Sequence, residues 1–137
     1  MEQPERGSVS DLVRYRIDTA KSDLQSANIL LKENEYRGAN NRAYYAIYHA
    51  ISAVHALDGK SYKRHKETLA NFNKDYVKTE IFPKTFGRRI AWAEEIRHAS
   101  DYDDFYVATK EKAEEQIMTA KELIEQIEKY CVIRLKE

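Results

Sequence analysis

The feature that most constrains this chain is a spacing of small and apolar residues that recurs three times. Val13, Ile17, Ala20, Leu24, Ala27 and Leu31 step by 4, 3, 4, 3, 4 along the sequence. Ala39, Ala43, Ala46, Ala50, Ala53 and Leu57 repeat those steps, and so do Ala113, Ile117, Ala120, Ile124, Ile127 and Cys131. Residues three and four apart share one face of an α-helix, whereas a half-buried strand alternates every second residue. Each series is therefore one apolar stripe on a helix. The four glycines and two prolines supply too few turns for a β-rich fold.

The stripes set the expected boundaries. Residues 1–9 lack periodicity and read as a flexible N-terminal arm. Ser8 or Ser10 is placed to cap the first helix, with Ser8 and Asp11 in a capping-box-like spacing. The second helix runs from about Tyr36 to Leu57 and ends at Asp58-Gly59, a C-terminal glycine signal. Its alanine seam lets neighbouring helices approach closely, which makes it the central one, and Tyr44, Tyr45 and Tyr48 flank that seam. Residues 60–83 carry a shorter helix with Leu69, Phe72 and Tyr76, broken at Phe82-Pro83. A fourth helix covers about 84–99, with Phe86, Ile90 and Ala93 on one face. Asp101 to Asp104 suit the N-terminus of a last helix starting near Phe105. The expected fold is all-α, an up-down bundle of four long helices plus one short helix, forming a single domain over residues 10–137.

Charge narrows the function. Acids and bases balance at 23 each, so any nucleic-acid contact must come from a local patch and not from the field of the whole molecule. The single cysteine, Cys131, lies on an apolar stripe, reads as core, and suits a reducing cytoplasm. The polar, acid-bearing start does not read as a secretory signal. The longest apolar stretch, 43–57, is interrupted by His49, Ser52 and His55 and is too short to span a bilayer, so no membrane is expected. His49, His55, His65 and His98 lack metal-ligand spacing, and no glycine-rich phosphate loop is present, so no cofactor is expected. The carboxylates at 101, 103, 104 and 111 read as a solvated helix start.

Two constellations can carry chemistry. Counting on from Phe86, Ile90 and Ala93, the next stripe position is Arg97, a guanidinium where an apolar side chain is due. It must be paired, line a cleft or reach a subunit boundary, because an unpaired buried charge is very costly. Asp101 is its i,i+4 partner if the helix extends that far. The pair either ties a helix end to its turn or binds a ligand. In the second constellation Arg42, Tyr45, His49 and Ser52 step by 3, 4, 3, placing a polar and aromatic stripe beside the alanine seam. Arginine with aromatic rings can hold a phosphate and a base together, and the same residues can equally build a helix interface.

The helix YRGANNRAYYAIYHAISAVHAL over 36–57, the later IRHASDY over 96–102 and the long C-terminal amphipathic helix together resemble the HEPN family, over residues from about 11 to 132. Asn-Arg-Ala-Tyr-Tyr followed by Arg-x3-Asp-Tyr is similar to a small stand-alone prokaryotic branch. The resemblance implies a homodimer in which two active-site helices face each other. It also implies, for many members, metal-independent ribonuclease activity through an arginine and a histidine separated by four to six residues. The matching arginine is Arg97, and the residue five positions on is Tyr102. His98 is adjacent, about 100° around a helix. Arg42 and His49 satisfy the spacing inside the second helix, away from the motif's usual place. Other members pair with a small nucleotidyltransferase, as toxin–antitoxin or stress modules, and some partners modify a tyrosine near the motif arginine, for which Tyr102 and Tyr106 are the candidates.

The expected function is accordingly a nucleotide- or RNA-binding module, or a nucleotidyltransferase partner, without efficient catalysis because Tyr102 replaces the motif histidine. Its ligand-binding residues would be Arg42, Tyr45, His49, Arg97, Asp101 and Tyr102, with Arg97, His98 and Tyr102 as the catalytic candidates. The alternatives are an endoribonuclease using Arg97 with His98 or His49, and a purely structural adaptor dimer.

Overall fold

The computed structural model describes residues 4–137, with side chains from Val9 onward. Five α-helices occur among them: α1 (Pro4–Lys32), α2 (Tyr36–Leu57), α3 (His65–Phe72), α4 (Thr85–Tyr102) and α5 (Lys110–Lys136). A single π-helical turn, Asn73–Val77, follows α3 directly. The three stripes become buried faces: Val13, Ala20 and Ala27 on α1, Ala39 to Ala53 on α2, and Ala113 to Cys131 on α5. The helix α2 is the hub and packs against α1, α3, α4 and α5. Its alanines make this possible, because removing side-chain bulk along the seam shortens the interaxial distance.

Both ends of the α1–α2 hairpin follow from local backbone chemistry. Asn34 adopts a left-handed φ of 64°, while Glu35 N–H donates to the Leu30 carbonyl at 2.8 Å and Asn34 N–H to Leu31 at 3.1 Å. Gly59, at φ 71°, does the same after α2, with Lys60 N–H on His55 at 2.8 Å and Gly59 N–H on Ala56 at 3.0 Å. These are Schellman closures, which satisfy the last carbonyls of a helix.

Three boundaries differ from the sequence reading. The helix α1 begins at Pro4, so Ser8 and Ser10 lie inside it; of the arm expected over 1–9, residues 1–3 fall outside the described residues. Proline suits this place, since its fixed φ fits a first turn whose N–H groups are unpaired anyway. The helix α4 runs on to Tyr102, which puts Arg97 and Asp101 on the same helix. The helix α5 starts at Lys110, not near Phe105, because Thr109 supplies the cap by accepting from Lys112 N–H at 3.2 Å. Asp101 to Asp104 thus end one helix and do not open the next. On α4 the buried face continues through Ile96 and Ser100, leaving Arg97 at its edge.

Candidate functional site

The candidate residues fall into two clusters, one where α2 crosses α4 and one between α2 and α1, with His98 and Tyr102 apart from both. In the first, the Arg97 guanidinium lies 4.5 Å from the centroid of the Tyr44 ring and 5.9 Å from that of Tyr45. Its side chain is only 12% exposed. The anionic partner is Asp101, one turn on, at 3.5 Å, long for a charge-assisted bond. The Asp101 carboxylate also accepts from Asn41 Nδ2 at 3.0 Å. Arg97 Nε is enclosed by protein and has no hydrogen-bond partner among the described residues. Arginine remains a cation throughout the accessible pH range. The site therefore holds a fixed positive charge, and its unpartnered donor, Nε, is closed off from solvent.

The second cluster lies toward α1. Arg42 Nη1 pairs with Asp23 Oδ1 at 2.9 Å, Arg42 Nε donates to Asn41 Oδ1 at 3.0 Å, and the guanidinium sits 5.0 Å from the Tyr45 ring. His49 Nε2 is 3.7 Å from the other Asp23 oxygen. Burial pushes His49 below the ordinary imidazole range, although Asp23 pulls the other way. Ser52, last on the expected stripe, is buried and contributes its carbonyl to Arg16 at 3.0 Å. Asn41 links the clusters, touching Arg42 in one and Asp101 in the other. Arg42 is held by short contacts to Asp23 and Asn41, whereas Arg97 has the long Asp101 pair and the Tyr44 and Tyr45 rings.

The remaining flagged residues are placed less centrally. His98 and Tyr102 pair with each other on the outer face of α4, ring centroids 4.9 Å apart, and Tyr102 is 68% exposed. They share a shallow groove with Arg97, Glu94, Glu95, Ala99 and Asp103. Arg97's own contacts nevertheless run to α2, and His49's run to Asp23 on α1. Of the two candidate tyrosines for modification, Tyr102 presents itself to solvent, whereas the Tyr106 hydroxyl is buried without a partner among the described residues. Cys131 is fully buried and its thiol is pushed up to about 12 by that burial, as a core residue. The aromatic flank of α2 is used largely within the chain, since Tyr44 is fully buried and Tyr45 and Tyr48 pack against the core. No helix among the described residues is long and apolar enough to cross a membrane.

Two contributors escaped the sequence reading. Arg37 donates to the carbonyls of Ser100 (2.6 Å), Asp103 (3.1 Å) and Tyr106, holding the 103–109 segment against α2. His65, from the start of α3, stacks on Tyr48 at 4.0 Å and places Nδ1 3.2 Å from the Tyr44 hydroxyl. The available signal was the run Lys63-Arg64-His65-Lys66, a dense basic stretch in a chain of zero net charge.

The chain is thus an all-α bundle with a partly buried arginine on its fourth helix, facing the Asn-Arg-Ala-Tyr-Tyr segment of its second. Comparison with known proteins agrees: the HEPN domain family model matches residues 13–130, and the chain belongs to that family. A UPF0332 protein of Thermotoga maritima is 31% identical over 118 residues, covering 86% of this chain and 89% of that protein. A Methanocaldococcus jannaschii protein named a putative toxin is 29% identical over 121 residues, covering 88% and 90% respectively. The crystal structure of TT1696 from Thermus thermophilus superposes with a TM-score of 0.73 at 20% identity, over 85% of this chain and 96% of that one, a likeness of fold.

Proposed function

We propose that this chain is a toxin-type HEPN module that binds a nucleotide or an RNA segment at Arg97, where α4 crosses α2, without efficient cleavage of its own. Arg97 holds the phosphate, Asp101 and Asn41 orient it, and Tyr45 with Arg42 and His49 flank the ligand. Tyr102 and His98 border the same groove from solvent. The module works as a homodimer in the cytoplasm, with a small nucleotidyltransferase as its protein partner.

The observation that carries this reading is the state of Arg97. A guanidinium seated on an aromatic ring, whose only ion pair among the described residues is long, is loosely held as a structural tie and leaves its outer Nη edge as the one an oxyanion would meet. The non-catalytic part is supported by Tyr102 at the motif position, and by His98 and His49 making their contacts elsewhere. The toxin name carried by the Methanocaldococcus relatives supports the biological setting.

Incubating the purified protein with tRNA and mRNA in EDTA, and following complex formation and RNA integrity together, tests both parts. The expected result is a salt-sensitive complex with intact RNA, weakened roughly tenfold or more by Arg97→Ala. Cleavage that disappears in Arg97→Ala overturns the non-catalytic part, and failure of the wild type to bind overturns the reading as a whole.

A further inference from the structure

We infer that His65, brought in by α3, is the titrating partner of Arg97, and that the two side chains hold one phosphoryl anion between them beside Tyr44 and Tyr45 of α2. This rests on Arg97 being a phosphate site, and it adds a residue on a different helix from the motif arginine.

The geometry begins with shared neighbours. Arg97 and His65 both lie against Tyr44 and Tyr45: the guanidinium is 4.5 and 5.9 Å from the two ring centroids, and the imidazole centroid is 6.0 and 5.7 Å away. Stacking on Tyr48 at 4.0 Å fixes the plane of the imidazole. The Tyr44 hydroxyl at 3.2 Å fixes its Nδ1 edge. Burial pushes the Tyr44 phenol up to about 12, so it keeps its hydrogen and can donate it to Nδ1. The ring hydrogen then resides on Nε2, which has no protein partner among the described residues. His65 is half-buried, so that edge is the one available to a ligand.

The electrostatics point the same way. The groups facing His65 are Tyr44, Tyr45, Tyr48 and His49 from α2, and Arg97 and Glu94 from α4, with Arg64 and Lys66 beside it in sequence. Partial burial, followed by the positive charge of Arg97, lowers the His65 imidazole below its ordinary range, and Glu94 only partly offsets this. An anion bound between the two removes the repulsion and draws a proton onto His65. Binding and protonation are thereby linked, and affinity rises as pH falls through the interval between the free and bound imidazole values. Lys63, Arg64 and Lys66 are exposed on either side of His65 and supply the local basic flank that the neutral whole chain lacks.

The test measures affinity for a short labelled single-stranded RNA across pH in the wild type, His65→Gln and Lys129→Ala, with helicity of each followed by circular dichroism. Between about pH 7.5 and about pH 5.5 the wild-type dissociation constant should fall roughly tenfold, and His65→Gln should change less than about twofold. Lys129→Ala, on a remote face, should follow the wild type. Histidine NMR titration of the unmodified protein with and without inorganic phosphate is the second arm, independent of any variant's folding. Phosphate should raise the His65 midpoint, and Arg97→Gln should remove that rise. If His65→Gln tracks the wild type across pH while Arg97→Ala still abolishes binding, the phosphate site stands and the role of His65 is wrong. If the wild type binds no RNA, the proposed function fails, and the phosphate titration alone decides: an unmoved His65 midpoint overturns this inference and a raised one supports it.

Discussion

Arg97 sits at the edge of the buried face of α4, and at the scale of the residue its place in register with Phe86, Ile90 and Ala93 is legible in the sequence alone. Its partner Asp101 is legible too, because i,i+4 spacing is a local property. The Tyr44 ring beneath the guanidinium and the His65 imidazole beyond it are not, since both depend on how α2 and α3 are set against α4. Stability separates the two roles open to Arg97. If the residue serves a ligand and not the fold, its buried charge is a burden that a neutral side chain of similar length relieves. Arg97→Met should therefore melt at the wild-type temperature or above it while losing RNA binding. A loss of more than about 1 kcal/mol in thermal denaturation would instead mark Arg97 as a structural tie.

At the scale of the element, periodicity located α1, α2 and α5 because each buries one continuous stripe. It misplaced the start of α5, since the three aspartates at 101, 103 and 104 look like a helix N-terminus whether or not a helix follows. The π turn at Asn73–Val77 left no periodic mark either; it brings Tyr76 to Asp58, whose carboxylate also takes Arg134 at 2.6 Å. Two consequences can be measured. Ala46 is fully buried in the α2 seam, so Ala46→Leu should overpack it and cost about 1–3 kcal/mol in chemical denaturation. Arg37 alone bridges three carbonyls around the 103–109 segment, whose Phe105 is 94% exposed. Arg37→Ala should release that segment and speed chymotryptic cleavage at Phe105, with little change in helicity; an unchanged cleavage rate would show that other contacts hold it.

At the scale of the whole molecule, zero net charge pointed away from a generic nucleic-acid binder, and the Lys63–Lys66 run shows how a local patch escapes that sum. The three histidines at 49, 55 and 65 also act collectively. Burial depresses each one, against Asp23 for His49 and against the hydrogen bond to the Thr68 carbonyl for His55. The unfolded chain therefore binds more protons than the native one once pH drops below about 6.5, and stability present above that value is lost on acidification. The melting temperature at about pH 5.5 should lie below that at about pH 7.5, and a flat profile would contradict the burial argument. The central claim, that Arg97 at the α2–α4 crossing serves a phosphate and not the fold, is tested most directly by equilibrium binding of a short single-stranded RNA in EDTA over a range of salt. The wild type should bind with a salt sensitivity of the order of one or two phosphates neutralised, and Arg97→Ala should lose roughly tenfold or more in affinity. Equal affinity of the wild type and Arg97→Ala at every salt concentration would contradict it.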